Sequence, residues 1–491
     1  MTIAGILLSL LSGALLGVSF TPWNVWQLGW VALVPLFAAL LREARTRAGF
    51  GLYCAAAAVA PLYAMCAGLP PGYEAVYALP AAAALGVFAF TFWQRDMALR
   101  RNGRLFPLLA ACGIAGLEFA RSHWILGSFA SLGVTQHTQP AAIQIAWLTG
   151  VPGVSAMLVC ANAALALLLV NARNPRAALP QIAGSAAAAA LLMGANLWLQ
   201  AQPLPETGRV TVAAAQLGFV PEAETQPAPL RDLAARLKAK DSEGAALAAI
   251  AVLEPLTREA AKKGARLVVW PETVLDAGPD EFPAILARLQ EITRSNNIFL
   301  VFGYAEYLPG ADKNDPVPPY RNMAAVMDPQ GRMAHRYHKQ TYVRMAGIEK
   351  GPEGRESSVA RTALGRLGVL ICYDADYPEI SALMARRGAE ILVAPSHDLA
   401  GFLTRHHPSL LLFRTVENRR ALVKSDFVHG SLIADARGRI VADPPDGPGM
   451  ALAEVGLTGG RTVQPWAGRV FGWACVALFA AAVAAGLRRG A

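Results

Sequence analysis

The chain contains 491 residues, of which 54% are hydrophobic and only 16% are charged. This composition excludes a wholly soluble protein, and the length argues against a single domain. The formal net charge of +9 comes largely from arginines in short loops between apolar segments, so it gives no reason to expect a nucleic-acid partner.

Long apolar segments fill the N-terminal part of the chain, up to about residue 200. Seven of them, each roughly 17 to 23 residues long, can cross a hydrocarbon core about 30 Å thick as helices. The fifth carries Glu118 and Arg121 one helical turn apart, and we expect these to pair, since charges inside a membrane usually face a partner. The predicted spans are 3–21, 25–41, 49–67, 75–94, 105–120, 151–171 and 179–199, with an eighth at 466–487. The predicted fold class is therefore a multi-pass α-helical membrane domain of about eight transmembrane helices, joined to the α/β domain described below.

Arginines between the spans predict the orientation of the chain. They follow the even-numbered spans, whereas the exits of the first and third spans, TPWN and GLPPGYE, contain no lysine or arginine. By the positive-inside rule both termini are cytoplasmic, and the segment between the seventh and eighth spans is extracytoplasmic. We predict a membrane domain at 1–204, an extracytoplasmic domain at 205–465, and a C-terminal helix with a cytoplasmic tail at 466–491. The arginines used are Arg42, Arg45, Arg47, Arg95, Arg100, Arg101, Arg104, Arg173, Arg176, Arg488 and Arg489.

The extracytoplasmic segment has the pattern of a globular α/β domain. Apolar runs of strand length alternate with stretches of helical periodicity, and turn signals such as DPQG separate them. This alternation predicts layers of sheet and helix. The predicted strands are 209–216, 265–272, 297–304, 322–331, 367–374, 389–396 and 431–441, and the predicted helices are 242–263, 282–295 and 379–387.

Cys372 is the only cysteine of the predicted extracytoplasmic domain; the other five of the six lie in predicted spans. On this topology the thiol has no partner for a disulfide within its domain. A buried structural thiol and a nucleophile remain as alternatives. A nucleophile needs a base and a donor for the oxyanion that forms when it attacks a carbonyl. Glu272, directly after the strand RLVVW, and Lys339, after a hairpin strand, are candidates, although each residue type alone usually marks a solvated surface.

The order Glu272, Lys339, Cys372, with WPE before and CYDADYPE after, resembles the catalytic set of the nitrilase superfamily of carbon-nitrogen hydrolases. The resemblance implies a four-layer αββα sandwich, with the glutamate as general base, the lysine steadying the tetrahedral intermediate and the cysteine carrying the acyl group. It also implies supporting or oxyanion roles for Glu349, for the backbone N–H of Tyr373, and for Asp374. It implies neither a cofactor nor a metal, and it leaves the substrate-binding residues unknown.

The membrane half resembles the apolipoprotein N-acyltransferase family, in segments such as SFTPWNVWQLGWVALVPLFAALL and GLEFARSHWILGSFASLGVTQ. That resemblance implies an enzyme of the bacterial inner membrane with a periplasmic catalytic domain. The implied acyl donor is a membrane phospholipid, and the implied acceptor is the N-terminal amine of a diacylglyceryl-cysteine lipoprotein. Two stretches depart from the family's pattern: QTYVRMAGIEKGP after the lysine, and Asp374 where a glutamate is typical. They keep open a membrane-anchored amidase, or an acyltransferase with another amine acceptor.

Histidines and a charged helix provide further candidates in the same domain. The histidine spacing matches no common zinc site, but a Cys-His dyad using His397 or His429 is an alternative mechanism. We expect 396–407 to form a loop over the pocket. We expect 414–425 to be a helix with Glu417 and Arg420 one turn apart. The histidines that could ligate zinc are His335, His338, His397, His406 and His407.

Overall fold

Two units make up the chain in the computed structural model, one formed by Met1–Gln202 with Val463–Ala491 and the other by Pro203–Thr462. The structure describes residues 2–42, 106–123, 127–219, 226–312, 315, 318–343, 349–356, 358–398 and 403–488. The predicted spans 49–67 and 75–94, and the arginines at 45, 47, 95, 100, 101, 104 and 489, lie outside these residues.

The first unit is helical. Two of its described helices, Val151–Val170 and Pro175–Ala201, are long and apolar enough to cross a membrane. The predicted segments 105–120 and 466–487 are also helical, at Phe106–Ser122 and Gln464–Arg488. The helices of this unit are α1 (Ile3–Ser19), α2 (Val34–Arg42), α3 (Phe106–Ser122), α4 (Pro140–Ile143), α5 (Ala146–Thr149), α6 (Val151–Val170), α7 (Leu179–Ala201) and α13 (Gln464–Arg488).

The prediction of one continuous helix over 25–41 is wrong. A 3₁₀ turn at Trp26–Trp30 precedes α2, which is only nine residues long. A break inside an apolar bundle exposes backbone groups that need partners. Asn162 of α6 supplies them: its Oδ1 accepts from the Leu33 N–H at 2.8 Å, and its Nδ2 donates to the Gly29 carbonyl at 3.0 Å. A single buried asparagine therefore stabilises a bend that hydropathy alone could not show.

The two charged residues of α3 bind the segment that follows that helix. Glu118 accepts from the backbone N–H of Leu132 at 2.7 Å and from the hydroxyl of Ser155 at 2.5 Å. Arg121 donates to the hydroxyl of Ser131 at 3.1 Å. Both side chains therefore hold the irregular connection at 131–132 against the helices.

The second unit is a four-layer α/β/β/α sandwich. One six-stranded sheet has the order β12-β1-β2-β3-β4-β5 and the other has the order β11-β10-β9-β8-β7-β6. In each sheet the central strands are parallel, β1-β2-β3 in the first and β7-β8-β9 in the second, and the outer pairs are antiparallel. The strands are β1 (Glu206–Gln216), β2 (Leu267–Val269), β3 (Phe299–Tyr307), β4 (Tyr320–Met327), β5 (Met333–His338), β6 (Val359–Thr362), β7 (Gly365–Val369), β8 (Ile391–Ser396), β9 (Ala421–Asp426), β10 (Leu432–Ala434), β11 (Ile440–Ala442) and β12 (Gly449–Thr458).

Apolar side chains alternate between two cores. Val212, Val269 and Val301 point into the core between the sheets, whereas their neighbours Val268 and Leu300 point to the outer helices of the first sheet. This period of two is what a strand buried on both faces requires. The helices are α8 (Ala228–Ala239), α9 (Ser242–Lys262) and α10 (Pro283–Asn296) on the first sheet, and α11 (Pro378–Arg386) and α12 (Leu403–Asn418) on the second.

The predicted helix over 414–425 is wrong beyond Asn418. The chain leaves α12 there, passes through Arg419 in a left-handed conformation (φ 50°) and continues as strand β9. Glu417 and Arg420 are not a surface pair: both are buried, Glu417 accepts from Arg414 at 3.1 Å, and Arg420 donates to backbone carbonyls. The predicted loop over the pocket at 396–407 is helical from Leu403 onward. The periodicity analysis also missed β6, β12 and α8.

Candidate active site

Three strand ends bring the predicted catalytic residues into one buried region. Glu272 follows β2, Lys339 follows β5 directly, and Cys372 follows β7. The two sheets meet here, because the backbone N–H of Glu272 donates to the carbonyl of Ser396, at the end of β8, at 3.3 Å. Parallel strands ending at a common edge place their following residues together. This shared edge explains why Glu272, Lys339 and Cys372 meet in one site, although the first two lie 67 positions apart in the sequence and the last two lie 33 apart.

Glu272 is positioned by a close approach of two backbones. Gly303 of β3 lies so near that a Cβ atom there would sit 2.5 Å from the Glu272 Cα and 2.6 Å from the Thr273 nitrogen. Thr273 itself has a left-handed backbone (φ 44°). Such conformations are uncommon for a β-branched residue and persist only where surrounding contacts hold them. The local backbone is therefore bent to present the Glu272 carboxylate.

Lys339 lies between two carboxylates. Its Nζ donates to Glu272 Oε1 at 2.8 Å and to both oxygens of Glu349 at 2.9 Å. All three side chains are buried, with at most 5% of each exposed. Burial alone would lower the pKa of Lys339, but the two carboxylates outweigh it and hold that pKa well above its usual value. The lysine is therefore a fixed cation.

Asn322, which the sequence analysis missed, completes this group. Its Nδ2 donates to Glu272 Oε1 at 2.7 Å and to Glu349 Oε1 at 2.6 Å. Its backbone carbonyl accepts from the Lys339 N–H at 2.9 Å. The available signal was an amide at the start of the buried strand NMAAVM, where a polar side chain needs partners. Glu349 is fixed in addition by the Val343 N–H, which donates to its Oε2 at 2.7 Å.

Cys372 begins a 3₁₀ turn, Cys372–Asp376, with a left-handed backbone (φ 44°). The side chain is partly buried, and its Sγ lies 3.7 Å from Oδ1 of Asp398. Burial raises the pKa of the Cys372 thiol well above its usual value; Glu272 raises it further, and Lys339 offsets part of the effect. The resting thiol is therefore neutral near pH 7 and needs a base to act as a nucleophile.

Comparison with known proteins places this unit in a family. Residues 211–464, just over half of the chain, match the model of the carbon-nitrogen hydrolase family. The chain belongs to the carbon-nitrogen hydrolase family. Residues 12–164 match a second model, the N-terminal domain of apolipoprotein N-acyltransferase.

The proteins that are similar to this carbon-nitrogen hydrolase align with different fractions of its length. An apolipoprotein N-acyltransferase of Geobacter metallireducens is 28% identical over 98% of this chain and 95% of that protein. One of Chlorobaculum tepidum is 25% identical over 89% of this chain and 88% of that protein. Among solved structures, an amidase of Nesterenkonia sp. AN1 aligns with 22% identity and a TM-score of 0.41, over 55% of this chain and 98% of that one.

In this carbon-nitrogen hydrolase Asp374 binds the segment around Lys339. Its Oδ1 accepts from Thr341 Oγ1 at 2.7 Å and from the backbone N–H groups of Gln340 and Thr341, and its Oδ2 accepts from the Tyr337 hydroxyl at 2.7 Å. Burial raises the pKa of Asp374 to about 6, against the lowering effect of Lys339 and of these hydrogen bonds. Asp374 therefore couples the cysteine turn to the lysine segment.

Tyr373, the other residue expected to support the site, is partly exposed. Its ring meets that of Tyr377 edge to face, with centroids 5.4 Å apart, and its hydroxyl accepts from that of Tyr377 at 3.4 Å.

The histidines that the sequence offers for a metal or for a Cys-His dyad are dispersed. His335 lies near Ser358, His338 near Tyr342, and His429 lies 3.9 Å from Asp446. His397 stacks on Phe427, with ring centroids 4.2 Å apart, and its backbone hydrogen-bonds to Cys372. Within the part of the chain that the structure describes, His407 alone brings a ring nitrogen into a cluster with the Cys372 sulfur and the carboxylate of Asp398, with ligand atoms within 4.8 Å of one another.

Proposed function

We propose that the chain is an apolipoprotein N-acyltransferase that moves an acyl chain from a phospholipid, through a thioester on Cys372, to the N-terminal amine of a diacylglyceryl-cysteine lipoprotein. The observation that carries the proposal is the buried Glu272–Lys339–Glu349 group beside a strained cysteine turn. Support also comes from relatives of this name whose similarity extends over both units of the chain. An amidase alone would leave the match of residues 12–164 unexplained.

The first half-reaction uses the neutral thiol and the nearby carboxylate. Glu272 accepts the thiol proton as the sulfur attacks the ester carbonyl of the phospholipid. Lys339 and the backbone N–H of Tyr373 stabilise the oxyanion that forms. The tetrahedral intermediate collapses, the C–O bond breaks, and Glu272 returns the proton to the departing lysophospholipid oxygen. The enzyme is left with a thioester and an ionised Glu272.

The second half-reaction reverses the direction of proton transfer. The amine of the acceptor attacks the thioester carbonyl, and Glu272 accepts the proton that the amine loses. The C–S bond breaks, and the sulfur leaves as a thiolate that recovers a proton from Glu272. Because water would compete with the amine for the same thioester, a site next to the bilayer favours transfer over hydrolysis.

The proposal includes a location. We infer eight membrane spans with both termini cytoplasmic, a membrane domain at 1–204, and the catalytic domain at 205–465 on the periplasmic face of the inner membrane. The support is the distribution of arginines, together with two helices that are apolar and long enough to cross a bilayer. Both substrates are membrane-anchored, so tethering the catalytic domain raises their effective concentration.

Intact-mass spectrometry tests the reaction. The purified full-length protein in detergent is mixed with phosphatidylethanolamine and a diacylated lipopeptide. We expect the protein to gain the mass of one acyl chain, located on the fragment that contains Cys372. The same acyl chain should then appear on the N-terminal amine of the lipopeptide. Cys372→Ala should lose both signals, and Cys112→Ala, which removes a buried membrane-unit thiol, should keep them. A thioester that passes only to water or another amine would support the triad and reject the acceptor. No acyl-enzyme at all would reject the proposal.

A further inference from the structure

A second buried group of charges contacts Cys372 in addition to the Glu272–Lys339–Glu349 group. Asp398 is at its centre: its Oδ1 accepts from His407 Nδ1 at 2.7 Å, and its Oδ2 lies 3.0 Å from Lys424 Nζ. His407 Nε2 also lies 3.3 Å from Asp376, and Lys424 contacts Asp426 at 2.5 Å. All five side chains are buried. None of them takes part in the proton transfers proposed above.

This network comes from four elements that pack around the nucleophile. Asp376 belongs to the turn that Cys372 begins, Asp398 follows β8, His407 lies in α12, and Lys424 and Asp426 lie in β9. It reaches the reacting sulfur through Asp398, whose Oδ1 lies 3.7 Å from Sγ. Together with Asp374 of the same turn, the two groups place these charges around Cys372: Glu272, Lys339, Glu349, Asp374, Asp376, Asp398, His407, Lys424 and Asp426.

This network already holds two cations, His407 and Lys424, among its three carboxylates without a metal. Although Cys372, Asp398 and His407 could in principle offer three ligands, the Nδ1 that would bind a cation donates to Asp398. Two carboxylates raise the pKa of His407 to about 10 against the effect of burial, which keeps the ring an imidazolium. Lys424 adds a second cation beside Asp398. A divalent ion would have to displace a proton and compete with an ammonium.

We propose that Asp398 and His407 form a positioning pair for Cys372: the carboxylate accepts the S–H hydrogen bond and keeps the resting thiol neutral, and the imidazolium limits that effect. This inference rests on the proposed function, in which Cys372 is the nucleophile. A carboxylate next to sulfur opposes a thiolate, and a cation favours it. Asp398 therefore disfavours the thiolate and His407 favours it. An ion pair with a purely structural role would leave the ionisation of the thiol unchanged.

Alkylation of Cys372 measures this effect without any acyl substrate. Full-length protein in detergent is treated with iodoacetamide over a range of pH, and labelling is read on the Cys372 peptide by mass spectrometry. We expect Asp398→Asn to move the pH profile to lower pH and to speed labelling roughly three- to tenfold near neutral pH, since Lys424 stays charged. We expect His407→Gln to move the profile to higher pH. The double variant should fall between them.

Glu454→Gln is the matched control, because it removes an exposed carboxylate from β12 in the same domain and should leave the profile unchanged. Shifts in the same direction for both single variants, or no shift in either, would overturn the pair. If Asp398→Asn does not fold, His407→Gln alone decides, since a shift to higher pH supports the pair and no shift rejects it. If the wild type transfers no acyl chain, the proposed function is rejected. The labelling result for the pair still stands, because alkylation of Cys372 does not require acyl transfer.

Discussion

Nζ of Lys339 donates a 2.8 Å hydrogen bond to Oε1 of Glu272 where both side chains are almost completely buried. An ammonium that served only to fold the domain could sit at the surface at much lower cost, since burying an ion costs several kcal/mol. Here the cation compensates for two carboxylates, one of which is the proposed base. The pair therefore links the stability of the domain to the chemistry of the site.

Replacing Lys339 with methionine should destabilise the protein strongly. The apolar side chain fills similar volume but leaves Glu272 and Glu349 facing each other without a cation, and breaking a buried pair of this kind costs about 3–5 kcal/mol. The measurement is chemical denaturation of the full-length protein in detergent, followed by tryptophan fluorescence. Lys350→Met is the control: its pair with Asp315 is exposed and should be worth at most about 1 kcal/mol. Equal losses for the two variants would contradict the prediction.

Replacing Asn322 with aspartate should impair acyl-enzyme formation. The variant has the same shape but loses the Nδ2 donor to Glu272 and Glu349 and adds a third carboxylate around one ammonium. Because three carboxylates cannot all stay ionised there, one takes up a proton at a higher pH, and the acidic limb of the pH–rate profile should move upward. Pre-steady-state acylation measured against pH tests this. Asn297→Asp, at an exposed helix end, should leave the profile in place.

Replacing Gly303 with alanine should slow acylation without changing any polar group. The added Cβ would meet only backbone atoms of 271–273, so the loop that carries Glu272 must move. A misplacement of about 1 Å in a reacting group can cost roughly a hundredfold in rate. Single-turnover acylation is the measurement. Gly208→Ala serves as the control, since the nearest atom there is a leucine methyl group at 3.9 Å. An unchanged rate in Gly303→Ala would mean that the loop position does not matter.

The catalytic candidates that come at the ends of apolar, strand-like runs could be predicted from the sequence. Glu272, Lys339 and Cys372 each come at the end of an apolar run; in the structure Lys339 directly follows β5, whereas Glu272 and Cys372 lie three residues beyond the ends of β2 and β7. Their roles stay predictions. The amide of Asn322 in a buried strand indicates that it needs partners, but only the folded chain shows that these are Glu272 and Glu349. Glu349 was named by resemblance, and only the folded chain shows both of its oxygens on Lys339.

Contacts between residues far apart in the chain account for most of the features that the sequence did not predict. The segment RTVENRRALVKS has charges at helical spacing, yet its second half is the central strand β9, where parallel pairing with β8 outweighs local preference. The buried charges could not be predicted for the same reason: Asp398, His407 and Lys424 come from three different segments, and each alone resembles a surface residue. The break in the predicted span 25–41 likewise depends on Asn162, which lies more than a hundred residues away.

The stability of the domain should fall at alkaline pH because of His407. Asp398 and Asp376 raise its pKa from 6.5 to about 10 in the folded protein, against the effect of burial. A raised pKa of a cationic group contributes stability that is fully present below the unfolded value, about 6.5, and is lost as pH rises through about 10. The difference in denaturation free energy between the wild type and His407→Gln should therefore be largest below pH 6.5 and shrink steadily toward pH 10. Arg439→Gln, which breaks an exposed pair with Asp435, should give a small difference that does not change over this range. A difference for His407→Gln that is equally independent of pH would show that the ring is neutral in the folded protein, and that Asp398 is balanced by Lys424 alone.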